Sequence, residues 1–389
     1  MPDPQLLTRI RDHLEKRTLD DLFCETLNWD PLPGPALELQ VGVPVSTSLK
    51  LCPVAHLKGL PVYRVAWPES QLPNVTQRRA VHKALAPRHV EHLLCYETSD
   101  RRALAFVWAH KLDDKRTELR TLPYELGQPA RTTIERIAEL RFALGELRTI
   151  LEPQVADRLG KAFNVQTVTT EFFVGYKQVF ADLQARLLKP AEDKVWAHDY
   201  ALQLLNRLMF LYFIQRKRWL GGDPGFMRTL WDAYRRSGLP KDSFFANWLS
   251  VLFFEAFSQK FQAGRHDRRH LPPEIREALA TAPYLNGGLF ARGKLDDEHD
   301  PIIPDAFFST LFDSFDGSTP GFLERHNFTI AESTPLDVEV AVDPEMIGKV
   351  YENLVNVTFE GLTEEDQRGK GGIFYTPRVE IDLITRSTK

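Results

Sequence analysis

The sequence predicts an α+β chain: a small N-terminal α/β domain, a large mainly α-helical domain, and the first segment of a further α/β domain. Three observations lead there. Short runs rich in β-branched and aromatic residues alternate with helical stretches before residue 125; long segments of Leu, Ala, Phe and Arg take over from about residue 129; and strand-like text returns near residue 328. Because 389 residues exceed what one hydrophobic core usually serves, we place domains at 1–128, 129–327 and 328–389.

Composition sets the outer bounds. With 43% hydrophobic and 26% charged residues the chain reads as globular, neither disordered nor membrane-embedded. The longest apolar run, 201–214, contains Asn206 and Arg207 and is too short to span a bilayer. A net charge of −4 gives no global basic field, although local patches can still meet a polyanion. Cys24, Cys52 and Cys95 show neither CxxC nor Cys/His ligand spacing, which fits a reduced, cytoplasmic interior and no zinc site.

In the first domain Leu6, Leu7, Ile10 and Leu14 recur at helical spacing, and a second helical stretch covers 19–29 before Asp30-Pro31. After a Pro/Gly-rich passage, 61–67 reads as a strand, 76–86 as a helix, and 92–96 and 103–108 as strands joined by a turn at Thr98-Ser99-Asp100. This helix, strand, helix, strand, hairpin order is compatible with restriction-type nuclease folds. Such nucleases need two carboxylates and a basic residue around Mg²⁺. The best strand carries Val62-Tyr63-Arg64-Val65 where the acids should stand, and Glu25 and Glu38 are the remaining carboxylates to consider. The domain therefore reads as degenerate, with Mg²⁺-dependent cleavage as the alternative.

The middle domain opens with a helix at 132–143, where Thr132 and Glu135 have capping-box spacing. Phe172, Phe173, Tyr176 and Phe180 form an aromatic stripe best explained by core packing. The stretch 198–219 is apolar nearly all round and reads as the hub of a helical bundle, so Arg207 needs a carboxylate or carbonyl partner, or else nucleic acid. Lys260, Arg265, Arg268 and Arg269, with His266 and His270, make a basic cluster that is either a solvated connecting loop or a phosphate contact. A tight turn at Asn286-Gly287-Gly288, an acidic loop at 296–300 and a helix at 304–315 follow.

Towards the end, 326–332 and 338–342 read as strands, and 343–355 as a helix capped by Asp343 with Pro344 just inside. A charged linker, 363–370, leads to Gly371-Gly372-Ile373-Phe374-Tyr375-Thr376-Pro377. There Thr376 caps a further helix whose free N–H groups can hold a carboxylate or phosphate, beside aromatic faces that can pack on a ring. A capped surface helix is the plainer reading of the same heptapeptide.

The ordered series LNRLMFLYFIQRKRWL, YLNGGLF, NFTIAE, DPEMIGKVYENLV and GGIFYTPRVEIDLITR resembles the N-terminal region of large adenine-specific DNA methyltransferases. These are the type IIG restriction-modification enzymes and the methylases of phage-defence systems such as DISARM and, more distantly, BREX. The resemblance implies that the last segment opens a class I methyltransferase domain. It also implies that Gly372, Phe374, Tyr375, Thr376 and Pro377 belong to an S-adenosylmethionine site, and that double-stranded DNA and other subunits of a defence system are partners. The family's glycine-rich cofactor strand and its Asn/Asp-Pro-Pro-aromatic loop, which takes up the flipped adenine, are expected beyond Lys389. No such tetrapeptide occurs here, so the chain alone is expected to be inactive and carries no catalytic residue of its own.

Overall fold

The computed structural model describes residues 3–42, 47–113, 116–126, 131–258, 270–285, 288–313, 320–330, 337–339 and 341–342. They form a mixed α/β structure with one mixed sheet, divided into two compact units. The first comprises the described residues of Met1–Val168, Glu324–Asn327 and Ala331–Ala341; the second, those of Thr169–Leu323 and Phe328–Ile330, with Val342.

The first unit begins with α1, Pro4–Lys16, capped by Asp3, whose carboxylate accepts from the Gln5 amide at 3.0 Å. Its buried stripe is Leu6, Ile10 and Leu14, as the spacing predicts. Helix α2, Leu19–Asp21, runs on as a π-helical turn, Leu22–Thr26. The strands are β1 (Asp30–Pro31), β2 (Leu37–Val41), β3 (Thr47–Leu57), β4 (Leu60–Ala66), β5 (His92–Glu97), β6 (Ala103–Lys111), β7 (Thr117–Glu125) and β8 (Asp337–Glu339). β2, β3 and β4 form an antiparallel meander; helix α3, Val75–Leu85, then crosses over so that β5 lies parallel to β4, and β6 and β7 continue antiparallel. β8 joins β7 in parallel and β1 pairs with the end of β3.

Side-chain alternation explains why this sheet is covered on both faces. Along β5, Leu93 and Cys95 enter one core while Leu94 and Tyr96 enter another; along β6, Leu104, Phe106 and Trp108 oppose Ala105, Val107 and Ala109. The first core is closed by α1, α2, α4 (Arg131–Ala138) and α5 (Glu152–Ala162), the second by α3 through Val81 and Leu85. The result is a three-layer α/β/α sandwich. Its sheet has eight strands rather than the few that propensity marks. β3 and β7 escape notice because Lys50, Pro53, Arg120 and Pro123 interrupt their apolar runs.

One local expectation is corrected. Thr132 is not an N-cap: it lies inside α4, its amide donates to the Arg325 carbonyl at 3.1 Å, and Glu135 pairs with Arg131 at 2.6 Å. The composition shift near residue 129 marks a change from strand to helix, while the core of the first unit continues through Ile134, Ile150 and Leu159 to Val168.

The second unit is helical: α6 (Val165–Ala191, in this unit from Thr169), α7 (Lys194–Arg216), α8 (Phe226–Arg236), α9 (Pro273–Thr281), α10 (Lys294–Glu298) and α11 (Asp305–Phe312), with π-helical turns at Phe245–Leu249 and Leu252–Phe257. α7 starts four residues before the expected 198 because Asp193 caps it, accepting from Val195 and Trp196 at 3.0 Å. Its Leu204, Leu205, Leu208 and Leu211 are buried, confirming it as the hub. The stripe Phe172, Tyr176 and Phe180 is core as well. Around α8 the rings of Trp231, Phe244 and Phe308 meet edge to face at 4.8 and 4.9 Å, a geometry that adds to burial about 0.5–1.5 kcal/mol per pair.

Candidate functional site

The residues assigned to the cofactor, Gly372, Phe374, Tyr375, Thr376 and Pro377, and the basic side chains assigned to phosphate, Lys260, Arg265, Arg268 and Arg269, lie outside the described residues; of the same basic cluster His270 is described, its Nε2 3.0 Å from the Asn247 carbonyl. The helix expected at 343–355 and the linker at 363–370 also lie outside the described residues. What can be built upward from side chains is a buried ion pair, a histidine cluster, two clefts, and the β2–β3–β4 meander.

The β2–β3–β4 meander is informative for hydrolysis chemistry. β3 and β4 carry no carboxylate; Cys52 stands opposite Arg64 in their register. Glu25 and Glu38 are both exposed, one on the π-helical turn and one on β2. Among the described residues no group of three or more His, Cys, Asp or Glu side chains could hold a metal ion.

Arg207 has the partner that burial demands. Its guanidinium makes a two-pronged pair with Asp296, Nη1 to Oδ1 at 2.6 Å and Nη2 to Oδ2 at 2.9 Å, and Nε donates to the Leu289 carbonyl at 2.6 Å. Phe253 and Phe254 lie beneath it, 5.6 and 5.1 Å from the guanidinium carbon to the ring centres. Asp296 is therefore not part of a solvated acidic loop. It belongs to α10, caps the Gly293 amide at 3.0 Å, and is buried. Sequence reading missed this assignment because four closely spaced acids and a histidine look like solvent-facing text. The tell-tale was the unmatched Arg207 itself.

At the other end of α3, His82, His89 and His92 gather beside Tyr63 of β4. His92 Nδ1 donates to the His89 carbonyl at 2.8 Å, and its Nε2 stands 3.5 Å from His82 Nδ1. Burial first, then neighbouring His82 and His89, push the His92 imidazole down to about 3, against the opposing pull of its backbone bond. A neutral His92 with its proton on Nδ1 must accept at Nε2, so His82 donates there. Tyr63 Oη and His89 Nε2 are 3.2 Å apart. These contacts run between imidazoles, to the backbone and to a phenol, which is the chemistry of a structural cluster.

Of the two clefts, the larger, 850 Å³, opens in the first unit between Leu6, Ala138, Leu144 and Arg158. Its charged wall is already committed: Arg158 donates to the Arg141 carbonyl at 2.6 Å, pairs with Glu146 at 3.3 Å and covers the Phe142 ring at 4.7 Å. The smaller, 400 Å³, lies in the second unit, lined by Arg218, Trp219, Gly221, Gly222, Thr281 and Pro283. It forms where α7 and α9 end. Gly221, at φ 60°, sits so close to α9 that a Cβ would stand 2.9 Å from that of Ala278, which pins the loop to the helix. Trp219 is left 47% exposed at the mouth, with Lys217 and Arg218 exposed beside it.

Comparison with known proteins supplies the remaining observation. Over 199 residues the chain is 30% identical to a Methanocaldococcus jannaschii protein provisionally named a type II restriction enzyme and methyltransferase. The match covers 51% of this chain and 15% of that protein. No family model matches the chain, and no solved structure does. Among the described residues no helix is long and apolar enough to cross a membrane.

Proposed function

We propose that the chain is the N-terminal part of an S-adenosylmethionine-dependent DNA adenine N6-methyltransferase. The parent would belong to a prokaryotic restriction-modification or phage-defence system, acting on double-stranded DNA in the cytoplasm. The observation that carries this is the 30% identity over half of the chain to a protein named for both restriction and methyl transfer; the motif series ending in GGIFYTPRVEIDLITR supports it. In this reading 1–128 is a nuclease-like or accessory domain, 129–327 a connector, and 328–389 the opening of the methyltransferase domain. Gly372, Phe374, Tyr375, Thr376 and Pro377 would face the cofactor, which supplies the methyl group, and Lys260, Arg265, Arg268 and Arg269 would touch phosphate. Both assignments rest on sequence.

The test is to place the gene, with its genomic continuation, in a host lacking DNA methylation and to map modified adenines. Modification at a defined sequence is expected. Unmodified host DNA, with the protein expressed and soluble, would overturn the proposal.

A second reading, Mg²⁺-dependent cleavage by the first unit, draws on the β2–β3–β4 meander followed by the α3 crossover to parallel β5. Against it stands the absence of carboxylates from β3 and β4. Incubating the chain with supercoiled plasmid and Mg²⁺ separates the two readings: nicking at stoichiometric protein would favour the nuclease.

A further inference from the structure

We infer that the cleft at the ends of α7 and α9 takes an unpaired nucleotide of the DNA strand, its base stacked on Trp219 and its phosphate held by Lys217 and Arg218. This rests on the DNA reading above and adds a place and a mode of contact.

Three features of the cleft point to this occupant. Trp219 is a large ring kept 47% exposed although the unit has a deep aromatic core that could have taken it. An exposed indole beside two cations is the combination that binds single-stranded nucleic acid, because every base has a π-face and every nucleotide a charge. The second feature is charge. Arg218 lines the cleft with its side chain exposed, one Nη donating to the Gly222 carbonyl at 3.4 Å, and Lys217 is exposed next to it in the chain. The adjacent acid Asp223 is engaged locally, accepting from the Gly225 amide at 2.8 Å and from the Thr229 hydroxyl at 2.6 Å. Third, the volume of 400 Å³ suits one nucleotide rather than a duplex.

A plainer reading is that the two basic residues only complement the negative ends of α7 and α9. That accounts for the charge but not for the exposed ring or for a loop fixed against α9 by Gly221.

The experiment is fluorescence anisotropy with the 389-residue chain and labelled oligonucleotides of one sequence, as single strand, intact duplex, and duplex with one unpaired base. The variants are Trp219→Ala, Trp219→Phe and the pair Lys217→Gln/Arg218→Gln, each checked for unchanged thermal melting. We expect the unpaired substrates to bind more tightly than intact duplex. Trp219→Ala should cut that preference about tenfold, with Trp219→Phe keeping most of it. The double variant should weaken all three and make the salt dependence shallower by about one to two phosphate contacts. If the parent chain binds DNA and Trp219→Ala binds unpaired substrates equally well, the site is wrong while the DNA reading stands. A parent chain that binds none of the three sinks both.

Discussion

Arg207 and Asp296 close a two-pronged ion pair inside the second unit, with side chains 0% and 2% exposed. The pair ties the hub helix α7 to the short helix α10, and the Leu289 carbonyl adds the intervening segment. Removing one partner leaves an uncompensated buried charge, so Asp296→Asn or Arg207→Met should each lower stability by about 3–5 kcal/mol. Replacing both, as Arg207→Met with Asp296→Leu, should cost much less than the sum. Urea denaturation of the four proteins gives the coupling directly, and strictly additive losses would show that the pair does not act as a unit.

That pair also shows what the sequence makes legible. Burial of α7 follows from its all-round apolar pattern, and the need of Arg207 for a partner follows from burial. The identity of the partner does not, because Asp296 lies far along the chain among acids that look solvated. The same divide runs through the first unit. β5 and β6 are readable since both of their faces are apolar, whereas β3 and β7 are masked by Lys50, Pro53, Arg120 and Pro123. Of the functional candidates, none of the nine residues proposed for cofactor or phosphate is among the described residues. The Trp219 cleft depends on a bend after α7 that hydrophobic periodicity carries no sign of.

The Arg78–Glu339 pair makes a second prediction. Arg78 on α3 meets Glu339 on β8 at 3.2 Å, and β8 is the three-residue strand that covers the open edge of β7. So short a strand has few backbone bonds to hold it. Glu339→Gln should therefore loosen β8 and speed amide hydrogen exchange along Thr117–Glu125 several-fold, with little change in global stability. Unaltered exchange there would mean that the pair is not what holds the edge.

His92 predicts a pH dependence with a definite sign. Its folded pKa of about 3 lies below the ordinary value of 6.5, so the unfolded chain binds a proton that the folded chain refuses. Stability is unaffected well above 6.5 and falls as the pH drops below it, by up to about 1.4 kcal/mol per pH unit, levelling off near 3. His82, His89 and Arg88 surround the site, and any positive charge on them works in the same direction. His92→Gln keeps a donor for the His89 carbonyl but cannot charge. The difference in urea midpoint between the two proteins should therefore shift in favour of His92→Gln as pH falls from 7 to 4; parallel curves would show that His92 does not titrate on unfolding.

Gly321 makes the last prediction, from close approach rather than from backbone conformation. The segment after it runs against α11: the Phe322 amide donates to the Thr310 carbonyl at 2.9 Å and the Leu323 amide to the Leu311 carbonyl at 3.0 Å. A methyl group at Gly321 would fall inside the van der Waals envelope of the Leu311 carbonyl and the Phe312 amide. Those atoms belong to a helical backbone, so they cannot swing aside as a side chain would. Gly321→Ala should then either break the two hydrogen bonds or push α11 away from Trp231 and Phe244, at a cost of about 1–3 kcal/mol. Gly222→Ala is the useful contrast. It has a left-handed backbone, φ 75°, but nothing within 4 Å of its would-be Cβ. Its loss should stay near the about 1–2 kcal/mol of backbone strain. Thermal melting would separate the two causes when repeated with serine. At position 321 the bulkier side chain should cost more than alanine, whereas at 222 the two should cost the same; equal losses for both at 321 would rule out the steric cause.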